Sequence, residues 1–196
     1  MIEKIILYCS AAPDLVIERD LLGQVVIEIP IDIGWRIILS PIRGEPVDLE
    51  AVVKADIHLL LLGSDIRAPI GLEWLAATRA GHVPTLYLKE GINRTMAAND
   101  FIRHLAKRTA WHPFVSSADL RRQVFRLLAD HLLTQAFRYS LTSAEIDRLQ
   151  TWLKGVDEGP EAKVEGGRAV VGESSVILTT ERYNPTGGVL LKPRDL

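Results

Sequence analysis

The sequence predicts an α/β fold: a flavodoxin-like five-stranded parallel sheet with helices on both faces, followed by a C-terminal β-rich extension. Three observations predict it. Short apolar runs alternate with amphipathic stretches over residues 1–155, the pattern of strands joined by crossover helices. The run at 56–62 is apolar almost throughout, as a strand covered on both faces must be. The composition then changes. Residues 155–196 hold seven of the fourteen glycines and no helical period. The chain therefore divides into an α/β domain at 1–155 and a Gly-rich β appendage or tail at 156–196.

Taken in order, residues 5–8 are a buried strand. Residues 14–28 read as a helix with Asp14 in its first turn, Leu15, Leu22, Val25 and Val26 toward the core, and Pro30 as its stop. Residues 35–39 form the second strand, 41–46 a Pro- and Gly-containing loop, and 48–54 a short helix. The third strand is 56–62. Pro69 suits the start of the next helix, which stops at Gly81. A strand at 84–88, a helix at 93–107 and a strand at 111–115 follow. Ser116 with Asp119 reads as a capping box for a long helix. Thr142 with Glu145 is a second, opening a helix that ends at Gly155. In the tail, Gly166-Gly167 signals a hairpin, and 175–180 and 189–191 are further strand candidates.

Composition excludes several classes. With 47% hydrophobic and 24% charged residues the chain has a globular balance. A net charge of −2 gives no general attraction to nucleic acid or anionic lipid. The single cysteine, Cys9, can form no internal disulfide and no Cys-based zinc site. It is expected to be a buried, inert thiol. The five histidines (58, 82, 104, 112 and 131) show no metal spacing, and His131 falls on an apolar helix face. No metal or cofactor is expected. There is no phosphate-binding glycine loop and no G-x-G-x-x-G. No signal-peptide pattern opens the chain, and no apolar run approaches the ~20 residues of a membrane span. A cytoplasmic protein is the expectation. Arg121, Arg122 and Arg126 form a basic strip on the long helix, the usual mark of a solvated face.

Two segments carry possible chemistry. Glu73 lies one turn into the helix after the third strand, where open parallel sheets bind ligands. A carboxylate there can stabilise an oxocarbenium-like centre or act as nucleophile when a bond to an anomeric carbon breaks. It is equally what a helix start favours electrostatically. The segment Cys9-Ser10-Ala11-Ala12-Pro13-Asp14-Leu15-Val16-Ile17-Glu18-Arg19 spans the end of the first strand, its loop and the first helical turn. Ser10 and nearby backbone amides can hold an anion there. Helix capping, with Glu18 or Arg19 in a surface ion pair, explains the same residues. Trp74 can stack on a base or simply pack.

Together these segments resemble a TIR-like clade whose N-terminus reads S-S-T-F-x-D-L-x-x-E-R. It is found at the start of many bacterial STAND NTPase and tetratricopeptide proteins. Ser10, Asp14-Leu15 and Glu18-Arg19 match at the right spacing. The apolar strand into Gly63, then Glu73-Trp74-Leu75-Ala76-Ala77 and Val83-Pro84-Thr85-Leu86-Tyr87-Leu88, resemble the pieces that follow. The resemblance covers roughly residues 1–115. Cys9, Ala11 and Ala12 depart from the motif, and Asp65-Ile66-Arg67 replaces its Tyr-Gly. More distantly the layout is similar to nucleoside deoxyribosyltransferases and to TIR domains that cleave NAD. The resemblance implies Glu73 as catalytic candidate, with Ser10, Asp14 and Asp65 as ribose or phosphate contacts. Trp74 and Arg43 join them as candidate substrate contacts. It implies a signalling or defence role, an NAD-like nucleotide substrate, self-association and a larger signalling partner. The alternatives are a non-catalytic homotypic module and a deoxyribosyltransferase-like enzyme.

Overall fold

The computed structural model describes residues 4–41 and 45–157. Five strands, β1 (Ile5–Ala11), β2 (Trp35–Leu39), β3 (Ile57–Leu62), β4 (Thr85–Lys89) and β5 (Trp111–Phe114), form one parallel sheet in the order β2-β1-β3-β4-β5. That is the flavodoxin-like order. The chain leaves β1 toward β2, then crosses back to β3 on the other side, so the wind reverses at β1. Pairing runs from Ile5↔Trp35 to Cys9↔Leu39 on one flank of β1 and from Leu7↔Ile57 to Ala11↔Leu61 on the other.

Six helices cover the sheet: α1 (Val16–Ile27), α2 (Leu49–Lys54), α3 (Ala68–Arg79), α4 (Met96–Leu105), α5 (Ser117–Thr134) and α6 (Ser143–Asp157). Side chains alternate across a strand, so β1 feeds two cores. Ile5, Leu7, Cys9 and Ala11 pack with Leu22, Val25, Leu120, Val124, Leu128 and Leu149 of α1, α5 and α6. Tyr8 packs with Val52 and Ala77 of α2 and α3 on the opposite face. Leu60, Leu62 and Leu86 meet Ile70, Trp74 and Leu105 on that second face. All six residues of β3 are buried, which accounts for its being apolar except at His58.

Several boundaries differ from expectation. β1 continues to Ala11, so Ser10 is a strand residue and not part of the loop. A 3₁₀ turn at Pro13–Leu15 precedes α1, which starts at Val16. Thr95 caps α4 by accepting from the Ala98 amide, so that helix begins later than residue 93. α6 runs through Gly155 to Asp157. The Thr142–Glu145 capping box is complete: Glu145 Oε2 accepts from the Thr142 amide at 2.8 Å and Thr142 Oγ1 from the Glu145 amide at 3.3 Å. At α5, Ser116 accepts from the Asp119 amide, but Asp119 reaches back to the Val115 amide, one residue earlier than a capping box requires. Arg43 and the tail's hairpin and strand candidates lie outside the described residues. Among the described residues no helix is long and apolar enough to cross a membrane.

Candidate functional site

A parallel sheet places the loops after its strands along one rim. Three of them are stitched together here. Asp14, after β1, accepts from the amide and the hydroxyl of Ser64, both at 2.7 Å. Thr95, after β4, donates its hydroxyl to Asp65 at 2.5 Å and its amide to the Ser64 carbonyl. Gly63 allows the first contact: a Cβ on it would stand 2.3 Å from Asp14 Oδ2. Asp14 and Asp65, expected as ligand contacts, are thus engaged in holding loops to one another.

A hollow of about 270 Å³ opens on this rim between the loops after β1, β2 and β3. Ala11, Pro13, Ser40, Pro41, Arg67 and Ile70 are among its walls. It is slightly smaller than the ~300–1,000 Å³ of typical small-molecule pockets, a size for a single sugar ring rather than a whole dinucleotide.

Glu73 lies beneath this hollow rather than in it. The expectation of an accessible carboxylate is corrected: Glu73 is 0% exposed. The reason is its position on α3. Ile70, one turn earlier, reaches the rim, while Glu73 faces the strands and takes a 2.8 Å hydrogen bond from the Tyr8 hydroxyl on Oε1. Oε2 makes no hydrogen bond. The Ser10, Ser40 and Tyr8 hydroxyls and the Arg19 charge all favour the ionised form, but burial outweighs them and pushes the carboxyl above its ordinary value. Ser40 is the link outward, since it both lines the hollow and faces the carboxyl.

Ser10 does not stand at a helix start as an anion contact. It is buried within β1, with its Oγ 2.8 Å from His58 Nε2. His58 of β3, the register partner of Tyr8 on β1, sets its ring edge-on to Tyr8 at 5.2 Å between centroids. Burial, with a smaller contribution from His82, lowers the His58 imidazole to about 4, so it is neutral at pH 7. Trp74 is core: its ring meets Phe101 and His104 edge-on and is not a stacking platform. Glu18 and Arg19 are not a surface pair. Both are buried, and Glu18 pairs with Lys89 at 2.8 Å while Arg19 Nη1 has no partner. Burial pushes the Cys9 thiol up to about 12, which makes it inert at neutral pH. Among the described residues no cluster of His, Cys, Asp or Glu is arranged to hold a metal ion.

Sequence reasoning missed Tyr8, Ser40 and His58. A signal for two of them was present. Tyr8 and Ser10 are two apart on β1 and so share a face, and His58 is the one polar residue in an otherwise apolar strand.

No family model, curated protein or solved structure matches the chain.

Proposed function

We propose that this chain is a TIR-like domain of bacterial signalling or defence that works, in the conformation described, as an interaction module and not as a glycosidase. The closure of Glu73 carries this reading. A carboxyl with no exposed surface, its pKa raised by burial, cannot act as nucleophile toward a ligand, nor stabilise a ribosyl cation, in a hollow it does not touch. The outer face of α2 and α3 adds support: Leu49, Val53, Leu72 and Leu75 are each more than a third exposed, a grouping of apolar side chains suited to homotypic association. A cytoplasmic location and a larger signalling partner belong to the same reading.

One observation favours a second reading, cleavage of the N-glycosidic bond of NAD or a related nucleotide. Glu73 Oε2 lacks a partner, and Ser40 both lines the hollow and interacts with the carboxyl. A rearrangement of the loop after β2 would give that oxygen access.

Light scattering over a concentration series, with NAD incubations at the highest concentration, separates the two. The module reading expects concentration-dependent self-association, weakened at least tenfold by Leu72→Glu, and no nicotinamide release. Nicotinamide release that Glu73→Gln abolishes replaces it with the glycosidase reading. Base exchange between deoxynucleosides would instead support a deoxyribosyltransferase-like enzyme. A monomer at every concentration without turnover overturns both.

A further inference from the structure

The buried polar groups between β1, β3 and α3 have more order than packing alone requires. Tyr8, Ser10, His58 and Glu73 lie on one face of the sheet, and each is at most 6% exposed. Two of their atoms are unpartnered: Nδ1 of His58 and Oε2 of Glu73. A neutral imidazole carries its proton on one nitrogen only. On Nδ1 it would be a buried N–H with no acceptor. Ser10 would then have to spend its own proton on Nε2, leaving none for Glu73. On Nε2 the proton goes to Ser10 Oγ across the 2.8 Å contact. The orphan at Nδ1 becomes a bare acceptor, the more tolerated kind, and the Ser10 proton is released to turn toward the carboxyl it faces.

We infer that His58 is a positioning residue: as its Nε2–H tautomer it donates to Ser10 Oγ, which presents its own proton to Glu73 when that carboxyl ionises. The ionised group is then held by Tyr8 on Oε1 and by the Ser10 hydroxyl, both of which favour its charged form. Ionisation of Glu73 releases its one proton to solvent; Ser10, Tyr8 and His58 keep theirs, and the Ser10 hydroxyl reorients toward the carboxylate. The groups that bear on Glu73 come from each neighbouring element. They are Tyr8 and Ser10 of β1, Ser40 after β2, and Arg19 of α1. Asp48 acts on Tyr8, and His82 on His58. The relay's catalytic consequence rests on the glycosidase reading, but its existence does not.

Nitrogen-detected NMR of the histidines in the full chain gives the tautomer without any substitution. The proton on Nε2 is the expected result, and a proton on Nδ1 overturns the inference. Carbon-detected titration of Glu73 then tests the consequence. Ser10→Ala should raise its midpoint by about one pH unit. His58→Leu, which leaves Ser10 its proton but removes the donor to its oxygen, should raise it by less, while His58→Gln, whose side-chain amide supplies an N–H in the place of Nε2, should restore it. A midpoint unmoved in Ser10→Ala overturns the relay even if the tautomer is right. Nicotinamide release is not part of this test, so the relay and the glycosidase reading fail separately.

Discussion

Glu73 has a carboxyl that prefers to be neutral where it sits, and this has a consequence for stability. Its folded-state pKa is raised above the ordinary 4.5, so above pH 4.5 the unfolded chain loses a proton that the folded chain keeps. Stability from this group is therefore full below that value and declines as pH rises toward the raised one. His58 acts in the other direction. Its value is lowered from 6.5 to about 4, so stability is full above pH 6.5 and lost as pH falls through 4. That loss amounts to about 3 kcal/mol when complete. Glu73→Gln removes only the first effect. In urea titrations from pH 4 to pH 8, the variant should match the wild type at the acid end and become progressively more stable than it toward pH 8. The acid-side loss should remain in both. A constant difference across the range would mean that Glu73 is ionised in the fold. This residue's type and place in the helix could be read from the sequence. Its inward direction could not, because that depends on how far α3 has turned when it reaches β1.

At the scale of elements, the rim depends on contacts between loops far apart in the chain. Asp14 and Ser64 are fifty residues apart, and the pair closes only because Gly63 has no Cβ. Gly63→Ala should displace the Asp14 carboxylate and cost about 1–2 kcal/mol. In an Asp14→Ala background the same change should cost much less, because the obstructed group is gone. A double-mutant cycle by urea denaturation measures the difference. Equal costs in both backgrounds would show that the contact has no weight. The helices themselves were legible for local reasons. The Thr142–Glu145 capping box is written in four residues, and the α5 repeat of Leu120, Val124, Leu128 and Leu132 gives its buried face directly. Less legible were the ends of β1 and α6. Nothing local tells a strand to continue through Ser10 or a helix to pass Gly155. Pairing of Ser10 with Leu60 decides the first.

At the scale of the molecule, the wind puts β1 and β3 at the centre and leaves β2 and β5 at the edges. Buried hydrogen bonds with partners on both sides open only with the whole domain. In native-state hydrogen exchange, amides of β3 should exchange at the rate of global unfolding, with those of β5 faster. Exchange of β3 as fast as β5 would contradict the strand order. Arg19 and Glu18 show how the whole corrects the part. Their spacing on α1 fits a solvated pair, but both are buried in the fold, and Lys89 of β4 supplies the partner for Glu18.

By itself the sequence determined the class of fold and, within the described residues, the order and kind of its strands and α-helices. These follow from hydrophobic period, caps and breakers, which act within a few residues. Only the tertiary structure decided what Ser10, Asp14, Asp65, Trp74 and Glu73 do. Each is polar or amphipathic and sits near a loop, and nearness to a loop is compatible with facing either solvent or sheet. Strand pairing and helix rotation chose between them, turning Glu73 toward Tyr8, Ser10 toward His58 and Asp14 toward Ser64.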